Sequence, residues 1–250
     1  MKEVKNVRVL MWDIESSLMK VATFHTGEQR IHHENILQDW TILCGAWKYL
    51  GEKKIYTASV LDMPESQVVA ALAAAVENAD IVVGHNGDKF DLKKLRTRML
   101  FYGQNPLPKI ATVDTLKVLR SEFGMTSNTL AYAAKYLGLE LKGSTPGGTW
   151  LRALEGDKKS LKAMLKYNAQ DVVVLEDLYN KILPWIKNHP NVGLLYGHKL
   201  GEACPNCGSP EIIKNGKYGT TAGIKQRMQC LDCGTAFNTI IRKGKNSRGL

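Results

Sequence analysis

Residues 7–13 carry apolar side chains on both faces of an extended chain, the pattern of a strand buried on both sides. Residues 18–24, 41–49 and 54–60 are rich in β-branched and aromatic side chains and read as three further strands. Helical periodicity begins after Asp62-Met63-Pro64, with Asp62 or a neighbour as cap and Pro64 in the first turn, and runs to about Asn78. Residues 81–84 form a short apolar strand, and a helix follows over about 88–101. Residues 110–113 give another short strand, and helical stretches are expected over 115–121 and 127–137. Residues 142–148 are a Gly/Pro/Ser/Thr loop, and the longest helix runs from near Asp157 to Leu183, stopped by Pro184. Strands first, then strands alternating with helices, predict an α/β domain with a mixed sheet.

The organisation expected is a main domain over residues 1–187, a linker over 188–202 marked by Pro190, Gly193, Gly197 and Gly201, a small domain over 203–241, and a disordered basic tail over 242–250. The longest apolar run, residues 68–76, is far shorter than the roughly 20 residues that span a bilayer. No apolar core follows the charged N-terminus, so a cytoplasmic protein without a membrane partner is expected. Net charge is +10, from 34 Lys+Arg and 24 Asp+Glu. Residues 197–250 hold nine basic and three acidic residues, a local +6, which points to a polyanionic partner.

Several carboxylates stand where carboxylates are costly. Side chains alternate along a strand, so Val7, Val9, Met11, Asp13 and Glu15 share one face, and two acids end an apolar stripe. Their repulsion is unfavourable unless a cation lies between them. Asp91 opens a helix just after the strand at 81–84, at the sheet end where α/β folds build their sites. In the long helix Met164, Tyr167, Asp171, Val174 and Leu178 fall on one face, so a tyrosine and an aspartate interrupt a core stripe one turn apart. Hard oxygen ligands of this kind suit Mg²⁺ or Mn²⁺, and two such ions can stabilise both the attacking and leaving oxygens of a phosphodiester displacement.

Asp13-Ile14-Glu15, Asn86-x-x-x-Phe90-Asp91 and Tyr167-x-x-x-Asp171 occur in the order of the three exonuclease motifs of the DEDD nucleases. The chain resembles, over roughly residues 5–185, the proofreading exonuclease domain of family B DNA polymerases and its stand-alone relatives. The resemblance implies a ribonuclease H-like fold and 3′–5′ removal of nucleotides. It also implies two metal ions held by Asp13, Glu15, Asp91 and Asp171, with Tyr167 orienting the attacking water. Lys166 stands where the histidine subtype would place its histidine, which favours the tyrosine subtype. His85 departs from the family, where tyrosine is common. Asp88 is expected to cap the helix before Asp91, and Asp114 to cap the one after it. Asn86 and Phe90 are expected to face nucleic acid, with Asn86 equally readable as a turn residue.

Four of the five cysteines form two Cys-x-x-Cys pairs, Cys204/Cys207 and Cys230/Cys233, with Gly208 and Gly234 following each second cysteine. Two such knuckles complete a closed four-thiolate site, so one structural Zn²⁺ is expected. The segment resembles the zinc ribbon at the N-terminus of some insertion-sequence transposases, which implies a part in DNA binding. Lys214, Lys217, Lys225 and Arg227 are the candidate phosphate contacts. Cys44 is expected in the core, and Trp40, Trp47, Trp150 and Trp185 in core or interface positions.

The expected activity is removal of nucleotides from 3′ ends, with single-stranded DNA or a frayed 3′ end as substrate and a polymerase or replication complex as a possible partner. The rival readings are an RNA exonuclease or a structure-selective endonuclease on the same site, a non-catalytic DNA-binding protein, and a transposase. The last uses a catalytic acidic triad and needs neither Glu15 beside Asp13 nor Tyr167.

Overall fold

The computed structural model describes residues 6–139, 147–221 and 223–240. The chain divides into two compact units, Arg8–Tyr179 and Asn180–Leu250, the latter taken with Met1–Val7.

The first unit is built on a five-stranded sheet. Strand β1 (Val9–Ser16) is central. The short strands β2 (Lys20–Val21) and β3 (Ile36–Gln38) pair antiparallel in a separate arm. Strands β4 (Ile42–Tyr49) and β5 (Tyr56–Ser59) continue the main sheet as antiparallel neighbours. After helix α1 (Glu65–Glu77), β6 (Ile81–Gly84) pairs parallel with the other side of β1. Helix α2 (Asp91–Phe101) then leads to β7 (Ala111–Asp114), parallel to β6, giving the order β5-β4-β1-β6-β7. Helices α3 (Thr115–Glu122), α4 (Leu130–Tyr136) and α5 (Thr149–Leu154) precede the 25-residue α6 (Lys158–Ile182).

Alternation along β1 decides the two faces of the sheet. Leu10, Trp12 and Ile14 pack with Val68, Leu72 and Val76 of α1 and with Leu95 and Met99 of α2. A methyl group on Gly45 would lie 2.5 Å from Leu72 Cδ2, so α1 closes on β4 where there is no side chain. Leu43 and Cys44 pack with Ala153 of α5 and with Leu161 and Met164 of α6. Cys44 is 1% exposed. Asp13 and Glu15 lie opposite Ala46 and Cys44 across the β1–β4 ladder, on the face that meets α6.

This is the mixed α/β architecture expected, with local differences. The strand expected over 18–24 shortens to two residues, and Phe24 is fully exposed, because among the described residues nothing packs on the arm's tip. Pro64, not Asp62, is the N-cap of α1, with no side-chain cap. Asp88 does not cap α2, which begins after Phe90; its carboxylate instead accepts from Lys117 Nζ at 2.6 Å. Asp114 does cap α3, accepting from the N–H groups of Leu116 and Lys117. Helix α5 was not expected, since it is six residues long and follows Gly147-Gly148. Most of the loop expected at 142–148 lies outside the described residues.

The second unit contains the end of α6, helix α7 (Val192–Leu195), and an antiparallel sheet of β8 (Ile212–Thr220), β9 (Gly223–Cys230) and β10 (Ala236–Ile240). The segment expected as a linker, 188–202, contains helix α7 and belongs to the second unit. Asn191 caps α7 through Leu194 N–H, and Val192 N–H donates to Pro205 O at 2.7 Å. A Cβ on Gly193 would sit 3.1 Å from Ala203 Cβ, and one on Gly208 2.5 Å from the Tyr196 ring. These glycines permit close packing of the segment against the first knuckle. The basic tail expected at 242–250 lies outside the described residues.

Candidate active site and four-cysteine cluster

Asp13 and Glu15 leave the end of β1 two residues apart, and Asp171 approaches from α6. One carboxylate oxygen of each lies within 4.8 Å of the others. Asp91, 2% exposed, enters from the first turn of α2. Ile14 N–H donates to its Oδ1 at 3.1 Å, which ties α2 to β1 between the first two acids.

The loop that delivers Asp91 is tight. A Cβ on Gly84 would lie 3.0 Å from Gly87 Cα, so β6 turns back on itself there. Asn86 adopts φ 67°, a left-handed conformation asparagine tolerates, and its N–H donates to Asp114 Oδ1 at 2.9 Å. His85 Nδ1 and Nε2 meet Thr115 Oγ1 and Asn128 O, each at 2.9 Å, and burial lowers its pKa.

Two residues not anticipated from the sequence belong to the cluster. Asn168, completely buried, donates from Nδ2 to Asp13 Oδ2 at 2.6 Å, and its own Oδ1 is buried without a partner among the described residues. Trp150 of α5 donates to the Glu15 carboxylate and meets the Tyr167 ring edge-on at 6.2 Å. Asn168 had a usable signal: it lies one turn before Asp171 on the same helix. Trp150 had none.

The electrostatics are those of crowded acids. Burial, then Asp91, Glu15 and Asp171, hold the Asp13 carboxyl well above the usual range. Burial pushes Glu15 up to about 7, with Asp171 adding to it, and pushes Asp91 to about 7. Asp171 is raised to about 6, again by burial, against the hydrogen bond from Tyr167. The Tyr167 hydroxyl is raised by burial and by Asp171, so it stays protonated and donates to that carboxylate. Four acids that resist ionisation together are the situation a cation relieves. An unpartnered buried oxygen on Asn168 fits the same donor-hungry pocket.

Around this cluster, Phe90 is 40% exposed, and Lys94 Nζ lies 4.7 Å from its ring, 4.0 Å from the Trp40 ring and 2.7 Å from Ser16 Oγ. On the other side of the loop an open pocket of about 430 Å³ is lined by His85, Asn86, Arg120, Ser127, Asn128 and Thr129 among others.

In the second unit, Cys204, Cys207, Cys230 and Cys233 are free thiols whose sulfurs all lie within 4.8 Å of one another. Cys204–Cys233 and Cys207–Cys230 are both 3.6 Å apart. A tetrahedron of 2.3 Å metal–sulfur bonds has edges of about 3.8 Å, so the four sulfurs fit one ion. The Cys204 thiol is pulled down to about 5, first by the hydrogen bond from Cys207. Asn206, inside the first knuckle, donates to Leu183 O at 2.8 Å and Ile186 O at 2.9 Å, satisfying carbonyls beyond the end of α6. Lys214, Lys217 and Arg227 are exposed, and Lys225 is half-buried.

A family model described as RNase_H superfamily (RNase_H_2) matches residues 33–183, more than half of the chain. The chain belongs to the RNase H superfamily. The match spans Asp91, Tyr167 and Asp171 and begins beyond Asp13 and Glu15. Among solved structures, this RNase H-like chain is similar to the family B DNA polymerase from the hyperthermophilic archaeon Pyrobaculum calidifontis, with a TM-score of 0.52 and 19% identity over 72% of the chain. It covers 25% of the polymerase chain, and the likeness is one of fold. No curated protein matches. Members of the superfamily are typically nucleases that use divalent metals, and both the acidic triad and the cysteine cluster have the donors to hold metal ions. Among the described residues, no helix is long and apolar enough to cross a membrane.

Proposed function

We propose that this protein is a metal-dependent 3′–5′ exonuclease of the tyrosine DEDD kind, acting on single-stranded DNA or frayed 3′ ends, with a zinc ribbon that aids nucleic-acid binding. The reading rests on one observation: acids separated by up to 158 residues in sequence, Asp13, Glu15, Asp91 and Asp171, gather where the end of β1 meets the middle of α6, with a protonated tyrosine beside them.

Asp13, Glu15, Asp91 and Asp171 are the proposed ligands of two Mg²⁺ or Mn²⁺ ions. When bound, such a pair stabilises charge on the scissile phosphate and acidifies the attacking water. The protein's own part is positioning. Asn168 Nδ2 holds the Asp13 carboxylate, the Trp150 indole holds Glu15, and Ile14 N–H holds Asp91. Tyr167 keeps its proton at neutral pH, so its oxygen retains a lone pair to orient a water while its O–H is given to Asp171. Asn86 and Phe90 both precede Asp91 in the loop that delivers it, and are the proposed contacts to an unpaired terminal nucleotide. In the second unit four thiolates are the proposed ligands of one Zn²⁺, a closed shell with a structural role.

Asp171→Ala should abolish Mg²⁺-dependent shortening of a 5′-labelled single strand while retaining binding to it. Full activity in that variant would end the proposal. A circular single strand should survive, and its cleavage would favour an endonuclease. Parallel DNA and RNA strands decide the preferred sugar.

A further inference from the structure

The register of the second unit's sheet sorts its basic residues in a way the sequence cannot. Tyr218 pairs with Lys225, and Arg227 pairs with Asn238. Antiparallel partners share a face, and so do residues two apart on one strand, so Tyr218, Lys225, Arg227 and Asn238 project from one side. Lys217 pairs with Gln226, and Lys214 with Met228, across an irregularity between Lys214 and Lys217, which puts both lysines on the other side.

The two faces differ in cover. On the lysine 214/217 face Met228 is 8% exposed, and a Cβ on Gly201 would stand 2.9 Å from Thr239, so the chain before the ribbon lies over it. On the opposite face Arg227 and Asn238 are exposed, and the Arg227 guanidinium lies 5.2 Å from the centre of the Tyr218 ring. Among the described residues neither Lys225 nor Arg227 enters an ion pair.

We infer that this open face, Tyr218 with Lys225, Arg227 and Asn238, is a platform for single-stranded nucleic acid; the inference rests on the reading of the ribbon as a nucleic-acid-binding element and names its face and its ligand. An aromatic ring and a guanidinium plane are stacking surfaces for unpaired bases, and the two free cations match the phosphates alongside. A duplex keeps its base planes covered and offers such a ring nothing to stack on. Asn238 adds a neutral donor and acceptor at the rim.

The test uses the full chain, zinc-loaded, in an Asp171→Asn background that prevents degradation. Fluorescence anisotropy follows a labelled oligothymidylate and a duplex of equal length over a range of salt, and metal analysis confirms zinc in every variant. Tyr218→Leu should weaken the single strand by about fivefold or more, the low end of one lost base stack, while Tyr218→Phe retains binding. Duplex affinity should be unmoved by either change. Lys225→Ala with Arg227→Ala should reduce the salt slope on the single strand by about 1.4, the share of two phosphate contacts. Lys214→Ala with Lys217→Ala should leave that slope close to its starting value. Wild-type binding by zinc-loaded Tyr218→Leu overturns the platform, as does a larger slope change from the 214/217 pair than from the 225/227 pair. If all four alanines together leave affinity and slope unaltered, the broader reading of the ribbon fails as well. If the quadruple variant binds weakly while Tyr218→Leu and the 225/227 pair do not, only the face assigned here is wrong.

Discussion

The two clusters solve the same electrostatic problem by opposite routes. The cysteines come from two knuckles, each spanning four residues, and a short sheet brings them together. The carboxylates come from β1, α2 and α6, and only the completed fold assembles them. A ligand set made locally can contribute the folding energy of a small unit. A ligand set made globally depends on a fold that already stands, here supported by a core of Trp12, Leu72, Leu95 and their neighbours. Metal removal therefore has unlike consequences. Structural zinc contributes about 10–16 kcal/mol of apparent binding energy in small ribbons at neutral pH. Stripping the proposed zinc from the four-cysteine cluster with a strong chelator, or Cys207→Ser, should unfold residues around β8–β10 while amides of β1 and β6 keep their hydrogen-exchange protection. Unchanged exchange in the ribbon after verified zinc loss would break the contrast.

The next effect lies in the supports of the acidic cluster. Partners that orient metal ligands typically cost 10–100-fold in activity or metal affinity when removed. Asn168→Leu and Trp150→Phe should each lower the cleavage rate by roughly that 10–100-fold and raise the Mg²⁺ concentration needed for half-maximal rate. A fall in rate that extra Mg²⁺ leaves untouched would assign these side chains to the core alone. Restoring the donor with Asn168→Gln should recover part of the loss if the bond to Asp13 is what counts.

These supports also mark where sequence reasoning stops. Asp13, Glu15 and Asp171 could be singled out because each is a charge in an apolar stripe, a local violation visible at period 2 or 3.6. Asn168 is neutral, so its place one turn before Asp171 is a weaker signal than a charge; its importance comes from Asp13, 155 residues away. Trp150 belongs to a helix too short to show periodicity. Gly193, Gly197 and Gly201 look like flexible connections, yet two of the three sit against side chains or backbone of the ribbon. Glycine composition alone does not distinguish freedom from close approach. The sheet faces of Lys214 and Lys217 likewise depend on one irregularity in the ladder, which composition and alternation do not reveal.

The acids also set a pH dependence of stability in the first unit. Their folded pKa values are raised, to about 7 for Glu15 and Asp91 and about 6 for Asp171, against unfolded values near 4. The metal-free folded state therefore binds more protons than the unfolded chain across that window. Its stability is fullest below about pH 4 as far as this cluster is concerned, and declines as pH rises through 6 to 7. With zinc kept in the ribbon, the Tm of the first unit in chelated Mg²⁺-free buffer should fall between pH 5 and pH 8. Mg²⁺ should raise it more at pH 8 than at pH 5. Asp171→Asn removes one of the competing charges and should flatten the metal-free slope. An unaltered slope in that variant would detach the pH effect from the cluster.

The smallest effect separates two carboxylates of one loop. Asp88 and Asp91 lie three residues apart, and the sequence reading gives the first as a helix cap and the second as a metal ligand. Asp91 is buried, bonded to Ile14 N–H and within the field of Asp13. Asp88 faces Lys117, whose side chain is 56% exposed, in a pair of the kind that contributes about 0–1 kcal/mol. Asp88→Asn should therefore shift Tm by at most a few degrees and leave the cleavage rate and Mg²⁺ dependence unchanged. Asp91→Asn, the isosteric change three residues on, should abolish cleavage, because the lost charge belongs to a proposed ligand of the metal pair. Equal losses from the two substitutions would mean that the loop is held as one electrostatic unit, and that the distinction between a buried ligand and a surface ion pair does not apply to it.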